Sequence, residues 1–354
     1  MQHRQHYLTL DALRGVAALA VMIYHQQHAA LMGHGYLAVD FFFILSGFVI
    51  AKAYERKLLS TLSVGQFATI RIARLYPLLI VATLIAAAYM LMSSVRRGED
   101  LHWLALLPAA LLALPDPSGM LAPDPFPIVP VVWSLFFELF ANFAYAATMR
   151  WLATRVIAGI LAVSGALLIV AIASHGNGEL GNTYATLLPG FARVFCSFFA
   201  GVLFYRLHAS GRLRAPVISP LLLAAVLLGL LAAPHALPWV YDVVCIFLLF
   251  PLILVAAMNN EPTARWTATA RVSADLSYPL YLFHLPLLLW LGFVLGYLRI
   301  TGPMQMAVML TTVPGLLMPP MHSSTAGAGT AQDQDCRHAA ARCSRRERGP
   351  SSLA

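Results

Sequence analysis

Residues 11–31, DALRGVAALAVMIYHQQHAAL, and residues 36–54, YLAVDFFFILSGFVIAKAY, decide the fold of this chain. Each is an apolar run of about 20 residues, the length an α-helix needs to cross a hydrocarbon core of about 30 Å. A short turn joins them, so they form an antiparallel pair. Similar runs recur, and further spans are expected near 75–93, 130–150, 156–174, 190–208, 217–234, 238–258, 278–298 and 303–320. Bulk composition agrees: 60% of the 354 residues are hydrophobic and 11% are charged, less than half the charged share of an ordinary soluble domain. The expected fold class is all-α, a polytopic membrane helix bundle with ten transmembrane helices over residues 1–320.

The formal net charge of +8 raises the question of a nucleic-acid partner. No basic stripe with interleaved aromatics is present, and Lys and Arg sit mostly between the apolar runs, which is a topology signal. With the N-terminus cytoplasmic, Lys52, Arg56, Lys57, Arg71, Arg74, Arg150, Arg155, Arg206, Arg212, Arg214, Arg265 and Arg271 fall inside. Arg96, Arg97 and Arg299 fall outside. The partner expected is thus the lipid bilayer, with both termini cytoplasmic and no nucleic acid bound. The short apolar stretch 102–114, closed by Pro108 and Pro115, then belongs to a Pro-rich outer segment, 94–129, that is either a cap or a plain connector. Cys196, Cys245, Cys336 and Cys343 have neither metal-site spacing nor a disulfide framework, and no metal is expected. Residues 321–354 are small, polar and Arg-rich and read as a disordered tail.

Ionisable groups inside apolar helices are costly and mark functional sites by default. Arg14 and His25 are eleven residues apart, within roughly 20° of one helix face and about 16 Å apart along the axis. They are expected to line one wall of a shared cavity, with His25 as a candidate general base. Asp40 should lie at the depth of His25, where a carboxylate could orient the imidazole. Arg71 and Arg74, at i, i+3 spacing, make a guanidinium fork suited to phosphate or carboxylate. Glu138 lies in mid-span and needs a partner such as Arg193. His284 lies two turns inside the ninth span. Trp133 reads as an interfacial residue or a ligand contact, and Tyr278 and Tyr281 as interface residues before ligand contacts.

The motifs LDALRG…H, VDFFFILSGF, RIARLYP, WSLFFE and SYPLYLFH follow one another between residues 8 and 300. In that order they resemble the acyltransferase-3 family, bacterial membrane O-acyltransferases that act on surface glycans. The resemblance implies that His25 is central to catalysis; Asp40 is expected to aid it from its depth alone, and could equally bind a backbone group or another helix. The resemblance links Arg14, Arg71 and Arg74 to a cytoplasmic acyl-CoA, usually acetyl-CoA. It leaves Trp133, Glu138, Arg193 and His284 to shape the cavity or hold a glycan or lipid-linked sugar acceptor, at the bacterial inner membrane. Ala38 stands where the family often has glycine, and the sequence after residue 310 departs from the family's usual ending. A transporter or exporter with a proton relay is the competing reading.

Overall fold

The computed structural model describes residues 7–26, 31–119, 124–213, 216–300 and 303–317. The expected tail lies outside these. The described residues form helices and no strand. In chain order the α-helices are α1 (Leu8–His25), α2 (Ala38–Ser60), α3 (Val64–Arg97), α4 (Leu107–Leu111), α5 (Val132–Thr148) and α6 (Thr154–His175). They continue with α7 (Leu187–Ala209), α8 (Pro220–Leu231), α9 (Val240–Val244), α10 (Phe250–Met258), α11 (Thr267–Tyr297) and α12 (Pro303–Leu317).

Local chemistry sets several of these limits. Ser63 and Gln66 form a reciprocal capping box, with Ser63 Oγ accepting from the Gln66 N–H at 3.2 Å and Gln66 Oε1 from the Ser63 N–H at 2.9 Å. That cap starts α3 before the apolar run, so Arg71 and Arg74 belong to a continuous helix. α3 ends at Gly98, whose φ of 67° is the left-handed cap conformation that glycine adopts without steric cost. A π-helical turn, Cys245–Leu249, joins α9 to α10 directly before Pro251. Proline lacks the N–H and crowds the carbonyl four residues back, and a wider turn accommodates both.

Seven helical segments are long and apolar enough to cross a membrane: Leu8–His25, Gly35–Ser60, Val64–Arg97, Thr154–His175, Tyr184–Ala209, Val240–Met258 and Ala264–Tyr297. This is an integral membrane protein. The other three expected spans are helical too, but α5 has 17 residues, α8 has 12 and α12 has 15, so a count of ten crossings is not established. Prolines account for the shortness of α8, which starts at Pro220 and stops before Pro234. Pro314 is accommodated inside α12. The stretch 102–114 folds into a 3₁₀ turn, His102–Leu106, and α4, with Trp103 and Leu106 buried.

The helix α2 is central. In the 18-residue apolar stretch of the span containing it 78% of the residues are buried, against 28% in that of α6, whose Val163, Leu167 and Val170 face outward. The broadest packing joins α1 to α11 and α2 to α7. Both contacts depend on glycine. A Cβ on Gly47 would fall on the Phe198 carbonyl oxygen, and one on Gly201 on the Ile44 carbonyl oxygen. A Cβ on Gly15 would meet Ser273, whose Oγ donates to the Ala12 carbonyl at 2.9 Å. Such close approach is how helices pack where surrounding lipid is as apolar as the side chains.

Gly47→Leu should therefore separate α2 from α7 and cost at least about 1–3 kcal/mol through overpacking. Size-exclusion chromatography in detergent is expected to show aggregation or a large drop in melting temperature. Gly159→Leu, on α6 with open space around it, should elute and melt like the parent protein.

Candidate active site

Two cavities lie toward opposite ends of α1. The larger, about 330 Å³, is lined by Arg14, Ser46, Arg71, Arg74, Glu138 and Tyr281, among others. The smaller, about 90 Å³, is lined by His25, Asp124, Trp133, Glu179, Asn182 and neighbouring apolar groups. The single cavity expected for Arg14 and His25 is thus divided. A septum of three residues stands between its halves. The Ser134 hydroxyl lies 2.6 Å from the Tyr281 hydroxyl, and both reach the Val131 carbonyl, at 3.1 and 3.3 Å. Ser134 and Tyr281 line the arginine cavity and Val131 the histidine cavity.

At the arginine end, Arg71 is buried and donates from Nη2 to Glu138 Oε1 at 3.2 Å. Ser46 donates to the same oxygen at 2.7 Å. Arg71 Nε is buried without a hydrogen-bond partner. That is an uncommon state for a charged donor, since a lost charge-assisted bond costs about 1.5–3 kcal/mol. Arg74 is exposed, and Arg14 pairs with Asp11 at 3.2 Å.

At the other end, His25 is exposed and His284 fully buried behind it, their rings 5.0 Å apart between centroids. His25 Nδ1 lies 2.9 Å from the Val21 carbonyl and 3.3 Å from His284 Nε2, while His284 Nδ1 lies 3.1 Å from the Leu280 carbonyl. A carbonyl only accepts, so in the neutral rings both protons belong on Nδ1. His284 Nε2 then accepts from His25 Nδ1–H. His25 Nε2 keeps its lone pair, on a ring that lines the smaller cavity.

This arrangement changes the expected partners. Asp40 does not bond His25. It holds Arg193, which donates from Nε to both carboxylate oxygens (3.0 and 3.1 Å) and from Nη2 to Oδ2 (2.6 Å). Arg193 also donates to the Leu180 and Tyr36 carbonyls, each at 2.9 Å. It is fully enclosed, so it has no face for an acceptor and is no partner for Glu138. Proximity in depth along α1 and α2 did not decide which way Asp40 points. Trp133 is buried, with the Arg193 guanidinium 5.3 Å from its ring, and lines the His25 cavity rather than a membrane interface. His284 touches His25 and lines neither cavity. Glu179 and Asp124, both on irregular segments, had no periodic signal in the sequence; Ser134 and Tyr281 sit inside quoted motifs, but their meeting needs the packing of α5 on α11.

The motif order agrees with comparison to known proteins. The acyltransferase domain family matches residues 7–318, and the chain belongs to it. The protein is therefore a membrane-embedded acyltransferase acting with groups other than amino-acyl groups. It is similar to protein 2 in the picA locus of Rhizobium radiobacter, with 39% identity over 188 aligned residues, covering 48% of this chain and 96% of that protein. No solved structure matches.

Removing one member of a buried ion pair strands the other and costs about 3–5 kcal/mol, whereas replacing both with apolar groups is far milder. Asp40→Leu and Arg193→Met should each lower the melting temperature sharply. The double variant should melt above either single one, as read by thermal unfolding in detergent.

Proposed function

We propose that the protein transfers an acetyl or other short acyl group from acyl-CoA, typically acetyl-CoA, to a hydroxyl of a cell-surface polysaccharide or glycolipid at the bacterial inner membrane. The observation that carries this reading is Arg71 Nε, a buried, unpartnered donor at a cavity that Arg14 and Arg74 also line. Guanidinium groups so gathered suit the phosphates of a CoA ester, with Arg71 as the fixed member and Arg74 as the mobile one. The positive-inside distribution supports a cytoplasmic position for that end, with both termini on the same side.

His25 acts as the base. As an acceptor hydroxyl attacks the thioester carbonyl, His25 Nε2 takes its proton, and the tetrahedral intermediate expels the CoA thiolate, which recovers that proton. The imidazolium that forms in between is held in orientation by His284 Nε2, which accepts from His25 Nδ1–H. His284 is thus a positioning residue, the role the sequence suggested for Asp40. Glu138 fixes Arg71, and Trp133 forms a wall of the acceptor side. The same His25 lone pair would serve a transient acyl-imidazole. Rapid-quench trapping of acyl-His25 distinguishes the carrier route from the base route.

The test is transfer from labelled acetyl-CoA by the full chain in detergent or liposomes. His25→Ala should reduce CoA release at least about 100-fold, within the range usual for losing a general base. Arg71→Ala should raise the KM for acetyl-CoA about tenfold or more, the loss of a charge-assisted bond, with a smaller effect on kcat. Solute flux without CoA release would favour the transporter reading instead.

A further inference from the structure

The cavity beside His25 carries a chemistry that the general reaction does not require. Glu179 and Asp124 bring two carboxylates to it, and among the described residues that line it His25 is the one basic side chain. Asn182 adds an amide and Trp133 an aromatic wall. The carboxylate of Glu179 is held in place. Its Oε1 accepts from the Tyr24 hydroxyl at 3.3 Å and from Asn182 Nδ2 at 3.5 Å. Oε2 has no hydrogen bond among the described residues.

The backbone around Glu179 is pinned on both sides. The Gly178 N–H donates to Asp242 at 2.7 Å and the Glu179 N–H to the Asn177 side chain at 2.9 Å. The Leu180 carbonyl is held by Arg193, and the Gly181 N–H donates to Thr186 Oγ1 at 3.1 Å. Gly181 has a φ of 104°, and a Cβ there would press on the rings of Trp133 and Phe137. The loop thus presents Glu179 at the cavity edge from a fixed backbone, a preorganisation that suits ligand binding.

We propose that Glu179, Asp124 and Trp133 form an acceptor subsite that selects an uncharged polyol, such as a neutral sugar ring, over an anionic one. The inference rests on the acyl-transfer reading of His25. Carboxylates only accept, so they pair with the hydroxyl donors of a sugar. The indole face offers apolar surface to its C–H groups. An acceptor carrying its own carboxylate beside the reacting hydroxyl meets two like charges, and such juxtaposition is a strong source of specificity.

The full chain is assayed with labelled acetyl-CoA and two probes, methyl β-glucoside and methyl β-glucuronide, which share stereochemistry and differ in charge. Transfer to the glucoside is expected to exceed transfer to the glucuronide about tenfold or more, as like-charge repulsion allows. Glu179→Gln and Asp124→Asn should each narrow that ratio through the acceptor KM, and Glu179→Lys should shift the preference toward the glucuronide. Melting curves confirm that the variants fold. An equal or reversed preference in the parent protein overturns the subsite, as does a ratio unmoved by any of the three variants. So does transfer to neither probe while His25-dependent CoA release persists, which leaves the donor reaction standing. Absence of His25-dependent CoA release removes the reading on which the subsite rests.

Discussion

The buried pair of Asp40 and Arg193 is the constraint on which the rest of the structure depends. Two full charges in the interior of a membrane helix bundle are tolerated only when every donor and acceptor is satisfied. Here every guanidinium nitrogen has a partner, on Asp40 or on the Leu180 and Tyr36 carbonyls, and Ser197 reaches Asp40 at 3.4 Å. The pair forms only because α2 and α7 come close, and they come close because Gly47 and Gly201 carry no side chain. Sequence, packing and electrostatics are therefore one condition. At the other end of the same two helices Arg206 meets Glu55 at 3.0 Å, with Tyr145 donating to that carboxylate at 2.9 Å. The α2–α7 contact is thus clamped at both ends and closest in the middle.

The site inherits its geometry from that clamp. By holding Leu180, Arg193 fixes the loop that carries Glu179. By holding Tyr36, it fixes the 3₁₀ turn Gly35–Leu37 that leads into α2, where the Tyr36 hydroxyl donates to Asp242 at 2.8 Å and Asp242 accepts from Gly178. By lying against Trp133 it sets one wall of the small cavity. Arg193 lines neither cavity, yet it positions Trp133 and the loop that carries Glu179.

Apolar run length was readable in the sequence because lipid leaves each helix to satisfy its own backbone, a local requirement. Span count was less readable, since α5, α8 and α12 shorten for reasons of proline placement and packing. Position along a helix was readable as well: His25 lies in the last turn of α1 and Asp40 in the first turn of α2. Direction around a helix axis was not, so Asp40 was assigned to His25 when Arg193 holds it, and Glu138 to Arg193 when Arg71 holds it. His284 was visible as an intramembrane histidine, but its contact with His25 depends on how α1 lies against α11, which the glycine at position 15 permits. Glu179 and Asp124 sit on irregular segments, where no periodicity relates residue number to direction.

The charged linings of the two cavities differ, and this bears on how a CoA ester and a sugar would meet. Arg14, Arg71 and Arg74 line one together with Glu138 and Asp275, and Glu179 and Asp124 line the other beside His25, with Arg14 and His25 separated by about 16 Å of helix rise. On the proposed reading, the polyanionic part of the donor is drawn to the arginines and repelled from the carboxylates. Its uncharged acyl-bearing arm faces no such barrier. What separates that arm from His25 is the septum of Tyr281, Ser134 and Val131, made of two side-chain hydroxyls on one carbonyl. On that reading charge holds the two substrates apart, and a short side-chain barrier lies between their cavities.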